Sequence, residues 1–174
     1  AYGLGNSMSF PFYVGATAVV TAQRPTPQVV MQVMQRHAPT IFFGVPTLYG
    51  ALLADPNNHH ASGSARLRLG VSAGEALPAS IGEHWEQQFA VPVLDGLGST
   101  EMLHIFLSNQ VADVRYGTTG KPVPGYDLKL LNDKGVQTEA GELGELWVKG
   151  GSSAVAYWNQ REKSLNTFHG PWTR

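Results

Sequence analysis

Residues 94–104 read LDGLGSTEMLH. Ser99 and Thr100 bring hydroxyls to a glycine-bearing turn, and with nearby backbone N–H groups they suit phosphate oxygens. Glu101 stands directly against them, and a carboxylate repels a phosphate. The two share a site when a divalent cation lies between them. Mg²⁺ is held in this way, by one or two carboxylates together with phosphate oxygens and waters. The stretch therefore reads as a nucleotide–Mg²⁺ site with Glu101 as the metal carboxylate. The same residues also fit a plain helix start, with Ser99 as N-cap and the acid favoured by the helix dipole. His104 follows in the apolar run of Met102, Leu103, Ile105, Phe106 and Leu107. It reads either as a satisfied core histidine or as the one polar group of an apolar pocket.

A second pattern competes for the chemistry. GVSAG at 70–74 matches G-x-S-x-G, the nucleophile elbow of α/β-hydrolases, and Ser72, Asp95 and His104 occur in the hydrolase order. An elbow runs straight into its helix, whereas here Gly74, Glu75 and Ala76 intervene before Leu77–Pro78. That reading also leaves residues 111–174 without a role. His59 and His60 adjoin in a loop without further ligands, so they make no metal site on their own. Gly-Leu-Gly at 3–5 is too short for a dinucleotide fingerprint.

The elements that must position these groups follow from periodicity. Four apolar, β-branched runs read as strands: ATAVVT (16–21), TIFFGV (40–45), LRLGVS (67–72) and VPVLD (91–95). Helical patterns lie between them. Thr26–Pro27 gives an N-cap and a proline at the first helical position, followed by Val30, Val33, Met34 and His37 at helical spacing. Pro46 opens a second helix with Leu48 and Leu52 on one face. Pro78 opens a third, with Ile81, Trp85 and Phe89 spaced by four. Strand–helix–strand at this spacing predicts βαβ units and a parallel sheet with buried faces. After residue 110 the texture becomes turn-rich. DLKLL (127–131) and GELGELWVKG (141–150) read as antiparallel arms, and REKSLNTF (161–168) as a short helix. The expected fold class is α/β, a parallel sheet of βαβ units flanked by helices, followed by a small antiparallel or barrel-like β unit. The expected division is 1–110 and 111–174. Ligands of open α/β sheets bind at the carboxyl ends of the strands, here GVPT (44–47), SAGEA (72–76) and DGLGSTE (95–101).

Bulk properties agree with a folded globular chain: 174 residues, 43% apolar and 14% charged. A net charge of −1 leaves no electrostatic footprint for nucleic acid. The absence of cysteine excludes disulfides and thiolate metal sites and fits a cytoplasmic setting. No apolar run is long enough to span a membrane. The sequence opens on Ala1 without Met and stops at GPWTR, so it reads as an internal piece of a longer chain.

Taken together, these segments resemble the adenylate-forming superfamily of acyl- and aryl-CoA synthetases, luciferases and peptide-synthetase adenylation domains. The family's Y-G-x-T-E signature corresponds to Leu97–Glu101, with leucine in place of tyrosine. SAGEALP (72–78) resembles the adenine-side loop, and GTTGKPVPG (117–125), GELGELWVKG (141–150) and YWNQREKSLNTF (157–168) match later blocks in order. AYGLGN (1–6) and GSTEMLHIFLSN (98–109) are most similar to benzoate-CoA ligases and their hydroxybenzoate relatives.

The resemblance implies ATP, Mg²⁺ and coenzyme A as cofactor and co-substrates and an aromatic carboxylate as substrate. The acid would attack the α-phosphate of ATP to give an aryl-adenylate and pyrophosphate, and the CoA thiol would then displace AMP. Thr100 and Glu101 would be catalytic, Glu101 holding the metal. Gly74, Glu75, Ala76, Asp95, Gly96, Ser99 and Thr100 would bind ATP and AMP, with Asp95 accepting from the adenine amino group. Ala1, Tyr2, Gly98, His104 and Ile105 would line a flat aryl pocket. The phosphate loop, the ribose aspartate and the lysine-bearing C-terminal domain are expected outside this stretch, so residues 1–174 alone should be inactive. An adenylating enzyme that loads a carrier protein is the nearest alternative. A hydrolase using Ser72 and a non-catalytic nucleotide-binding domain are the alternatives of other classes.

Overall fold

A computed structural model describes residues 1–174. The chain opens in one continuous helical run made of α1 (Tyr2–Leu4), a π-helical stretch Gly5–Ser9 and α2 (Phe10–Tyr13). Then follow α3 (Pro27–His37), β1 (Ile41–Gly44), α4 (Pro46–Leu53), β2 (Leu69–Ser72), α5 (Ala79–Phe89) and β3 (Val93–Gly98). The second half holds β4 (Ile105–Ser108), β5 (Lys121–Pro122), β6 (Tyr126–Leu131), β7 (Glu145–Gly150), α6 (Arg161–Thr167), β8 (Phe168–His169) and β9 (Trp172–Thr173). No helix is long and apolar enough to cross a membrane.

The predicted βαβ units are present. β1, β2 and β3 pair in parallel, and β4 and β5 extend the same sheet antiparallel, in the order β1-β2-β3-β4-β5. A second, antiparallel sheet runs β6-β7-β9-β8. The α/β class with a separate small β unit is therefore the observed fold, its first sheet being mixed rather than purely parallel.

Local chemistry explains the helices. Thr26 Oγ1 accepts from the Val29 N–H at 3.4 Å, Pro27 pre-sets the first turn, and Ala38 closes α3 in the left-handed region at φ 44°. Ala90 ends α5 in the same way at φ 56°. The principal core joins α3, α4, α5 and β3 through Met34, Tyr49, Leu52, Trp85, Phe89 and Val93, all at or near zero exposure. Trp85 lies flat on Phe89, ring centres 3.8 Å apart and planes within 6°. Truncating either ring costs about 3–5 kcal/mol on the usual scale. A smaller core of Met102, Phe106 and Val148 joins the two sheets.

Two expectations need correction. The run 16–21 forms no strand; Val20 is 73% exposed. β-branched composition suits a pleated surface, but a strand also needs a neighbour for its backbone groups. The edge strand β1 pairs only with β2, and nothing in this chain pairs with 16–21. His37, placed on one helical stripe with Val30, Val33 and Met34, is exposed, and the buried residues of α3 are Val30, Met31 and Met34.

Candidate active site

The carboxyl ends of the parallel strands bring together the residues expected on the adenine side. Gly44 registers with Ser72, and Ser72 with Asp95. Asp95 is 4% exposed and Ser72 fully buried, yet Asp95 Oδ1 and Ser72 Oγ have no hydrogen-bond partner. Burial pushes the Asp95 carboxyl above its ordinary value, partly offset by the neighbouring Ser72 hydroxyl and the Leu77 and Gly96 backbone. Gly74 turns the loop after β2 at φ +94°, leaving Gly74, Glu75 and Ala76 exposed beside this pair. Gly96 is buried in the sheet, where a Cβ would lie 2.9 Å from Ile105 Cγ2.

The segment after β3 turns back into β4. Ser99 Oγ accepts from the Met102 N–H at 3.2 Å, the Leu103 N–H reaches the Thr100 carbonyl at 3.1 Å, and Leu103 itself has φ +73°. The helix-start reading of Ser99 is thereby corrected: its hydroxyl closes a hairpin turn, because the chain must return antiparallel to β3. The ladder shifts register between Leu97 and Gly98, and a Cβ on Gly98 would collide with the His104 carbonyl. Glycine at 98 is thus demanded by the hairpin itself.

Glu101 is gripped from the loop between β7 and α6. The Ala154 N–H donates to its carbonyl at 2.7 Å, and the Tyr157 hydroxyl donates to its carboxylate at 2.5 Å. Ser152 Oγ donates to the neighbouring Met102 carbonyl at 2.8 Å. Lys163 Nζ lies 4.3 Å over the Tyr157 ring. The Tyr157 hydrogen bond, helped by the Glu101 backbone N–H, Ser99 and Lys163, holds the Glu101 carboxyl below its ordinary value; Tyr157 is pushed up in return. Sequence reading included Tyr157 in a matching block but gave it no role. No local signal links it to an acid so far back in the chain.

No cluster of three or more His, Cys, Asp or Glu exists to hold a metal unaided. One ionised carboxylate beside two hydroxyls and a turn fits a divalent cation that arrives on phosphate oxygens, the usual manner for Mg²⁺.

The other end of the turn is apolar. Tyr2 donates its hydroxyl to the Gly44 carbonyl at 3.1 Å and the Val71 carbonyl at 3.0 Å, and burial raises its pKa. Its ring stands 5.4 Å from that of His104, and Phe10 meets His104 edge-on at 4.7 Å. His104 Nε2 lies 2.9 Å from Asn6 Oδ1 and 3.3 Å from the Tyr2 carbonyl. Burial lowers the His104 pKa, keeping the ring neutral at pH 7. Tyr2, Gly98, His104 and Ile105 are thus brought together. Ala1 sits exposed at the start of the helix, its carbonyl accepting from the Gly5 N–H. Asn6 is the buried polar residue that sequence reading missed.

The hydrolase arrangement is absent. β2 ends at Ser72 and α5 begins only at Ala79, so no elbow forms. Ser72 Oγ is sealed without a partner, while His104 bonds Asn6 and Tyr2.

A family model described as AMP-binding enzyme matches residues 1–158. The chain belongs to the AMP-binding enzymes. It is 58% identical over its whole length to the benzoate–CoA ligase of Thauera aromatica, of which it spans 33%. The crystal structure of a benzoate CoA ligase from Burkholderia xenovorans LB400 superposes with a TM-score of 0.96 at 52% identity, covering 99% of this chain and 35% of that one. An anthranilate CoA ligase solved in complex with anthranoyl-AMP superposes at 0.92 and 41% identity, covering 99% and 33%. As an AMP-binding enzyme, the chain thus spans about a third of the length of these relatives.

Proposed function

We propose that this chain is the central part of an ATP-dependent aryl-acid CoA ligase of the benzoate type. The observation that carries the reading is the order of groups along one sheet edge. An unpaired buried carboxylate (Asp95) comes first, then a hydroxyl turn with an ionised acid (Ser99–Glu101), then an apolar corner with one neutral imidazole (His104). That order matches the parts of an aryl-adenylate laid end to end. Relatives at 58% and 52% identity bear the names of benzoate ligases. We assign residues 1–110 to the α/β subdomain and 111–174 to the β subdomain; β5 reaches back across this division to the first sheet.

In this reading the Asp95 carboxylate accepts from the adenine amino group through the oxygen that is not sealed in the sheet, with Gly74, Glu75, Ala76 and Gly96 flanking the base. Ser99 and Thr100 contact phosphate, and Glu101 holds Mg²⁺. The cation, when bound with ATP, neutralises charge between phosphates and protein. Ala1, Tyr2, Gly98, His104 and Ile105 hold the aryl ring so that its carboxylate is positioned toward the α-phosphate; fixing two mutually repelling anions in one geometry is a large share of such catalysis. CoA thiol then takes the acyl group and AMP leaves.

The test is pyrophosphate release by the full-length protein carrying this chain. Release that depends on benzoate or a substituted benzoate, followed by thioester formation with CoA, is expected. Release without dependence on any aryl acid overturns the reading, as does nucleotide binding without turnover. Residues 1–174 alone should form no thioester.

A further inference from the structure

His104 is held by acceptors. The Tyr2 carbonyl oxygen, 3.3 Å from Nε2, cannot donate a hydrogen bond, so the proton of that contact belongs to Nε2, and the shorter contact to the Asn6 amide oxygen supplies most of the bias toward it. Nε2 therefore carries the proton and donates to both the Tyr2 carbonyl and Asn6 Oδ1, the latter at 2.9 Å. A neutral imidazole protonated on Nε2 has a bare lone pair on Nδ1. The sealed, unpaired side-chain polar atoms of the chain are Ser72 Oγ, Trp85 Nε1 and Asp95 Oδ1. His104 Nδ1 has no partner in the chain and is not among them, so it retains reachable surface. The remainder of the ring is packed: Phe10 meets it edge-on, and a Cβ on Gly5 would come within 2.5 Å of Cδ2. Asn6 itself is 9% exposed and lies in the π-helical stretch Gly5–Ser9, a local widening of the helix that often accompanies function.

We infer that Asn6 is a specificity-determining positioning residue: together with the Tyr2 carbonyl it locks His104 as the Nε2–H tautomer. The ring then presents Nδ1 to the aryl pocket as a bare acceptor, which favours ring substituents that donate a hydrogen bond. A hydroxyl or amino group donates to Nδ1. A fluorine of similar size cannot, and a ring nitro group or second carboxylate finds no donor there. The inference rests on the aryl-ligase reading for the identity of the ligand, but the tautomer is a property of the protein alone.

The experiment has two arms on the full-length protein carrying this chain. Long-range ¹H–¹⁵N correlation spectra at pH 8, with the His104 signals assigned through His104→Gln, read the tautomer directly. Protonated Nε2 with bare Nδ1 is expected, and Asn6→Leu should shift the ring toward a mixture. The second arm compares kcat/KM for hydroxybenzoate and fluorobenzoate matched at the ortho, meta and para positions. At the ring position facing Nδ1, the hydroxy-to-fluoro ratio should fall about tenfold in Asn6→Leu, the scale of one hydrogen bond. The other positions and the KM for ATP should hold. Asn6→Ser serves the same comparison if the leucine variant does not fold.

A wild-type ring protonated on Nδ1 overturns the inference, as does an equal loss on both members of every pair, the signature of a purely structural asparagine. If no aryl acid supports pyrophosphate release by the wild type, the ligase reading fails and the specificity claim with it. A protein that uses aryl acids but carries Nδ1–H loses this inference alone.

Discussion

Asp95 and Glu101 belong to one short segment, a strand and the turn that follows it, yet the fold treats the two carboxylates in opposite ways. Asp95 is walled into the sheet next to Ser72, with one oxygen unpaired, and burial pushes its pKa up. Glu101 stands at a turn where Tyr157 donates to it and Ser99 and Lys163 lie nearby, and its pKa is pulled down. The difference shows that the role of an acid here is set by what faces it across the fold. A buried carboxylate with a free oxygen suits a neutral donor such as an exocyclic amine. A charged carboxylate steadied by a hydroxyl donor suits a cation.

The contrast can be broken most forcefully at Glu101. Glu101→Gln should slow adenylation by about 10²–10³-fold, the scale of losing one key electrostatic stabiliser, measured as aryl-acid-dependent pyrophosphate release. An unchanged rate would remove the acid from the phosphate end of the site. Next comes its support. Tyr157→Phe should cost about tenfold in kcat/KM for Mg-ATP, as expected for one hydrogen bond to a charged group. It should also move the acid limb of the pH–rate profile to higher pH, because the carboxyl loses the donor that keeps it ionised. Retention of the wild-type profile would show that the 2.5 Å contact does not hold the charge.

Smaller effects sharpen the Asp95 side. Asp95→Asn removes a buried charge lacking full compensation and should raise Tm at pH 7 by about 2–4 °C, equivalent to ~1 kcal/mol in a chain of this size. A lowered Tm would mean that the carboxylate is already satisfied. The smallest effect lies in the pH dependence of stability. Glu101 has a folded pKa below its ordinary 4.5, so its contribution is present above that value and is lost as pH falls through the folded pKa. Asp95 has a folded pKa above its ordinary 3.8, so its contribution is present at low pH and is lost as pH rises through the folded pKa. Tm profiles from pH 3 to 6 for the two amide variants should therefore deviate from wild type with opposite slopes.

The βαβ framework was legible because its signals are local. Proline at or just before the helix starts, the four-residue spacing of Ile81, Trp85 and Phe89, and the apolar strand runs each carry their own evidence within a dozen residues. The proposed placement of ligands at the strand ends rests on that topology. What failed was whatever depends on a partner. The 16–21 run has strand composition and no neighbour. Ser99 has cap chemistry, but the chain after it must return to pair with β3. Tyr157 and Asn6 reach Glu101 and His104 across long stretches of chain, and nothing in either residue's surroundings announces a distant carboxylate or imidazole.

One phenol carries a consequence for folding time. The Tyr2 hydroxyl rests on two carbonyls, Gly44 from β1 and Val71 from β2. Those oxygens come within reach of a single donor only after the two strands have paired in register, Gly44 beside Ser72. The seat for the opening helix is therefore made by the sheet and does not exist before it. The His104–Asn6 corner, which that helix completes, therefore requires β1 and β2 already paired in register.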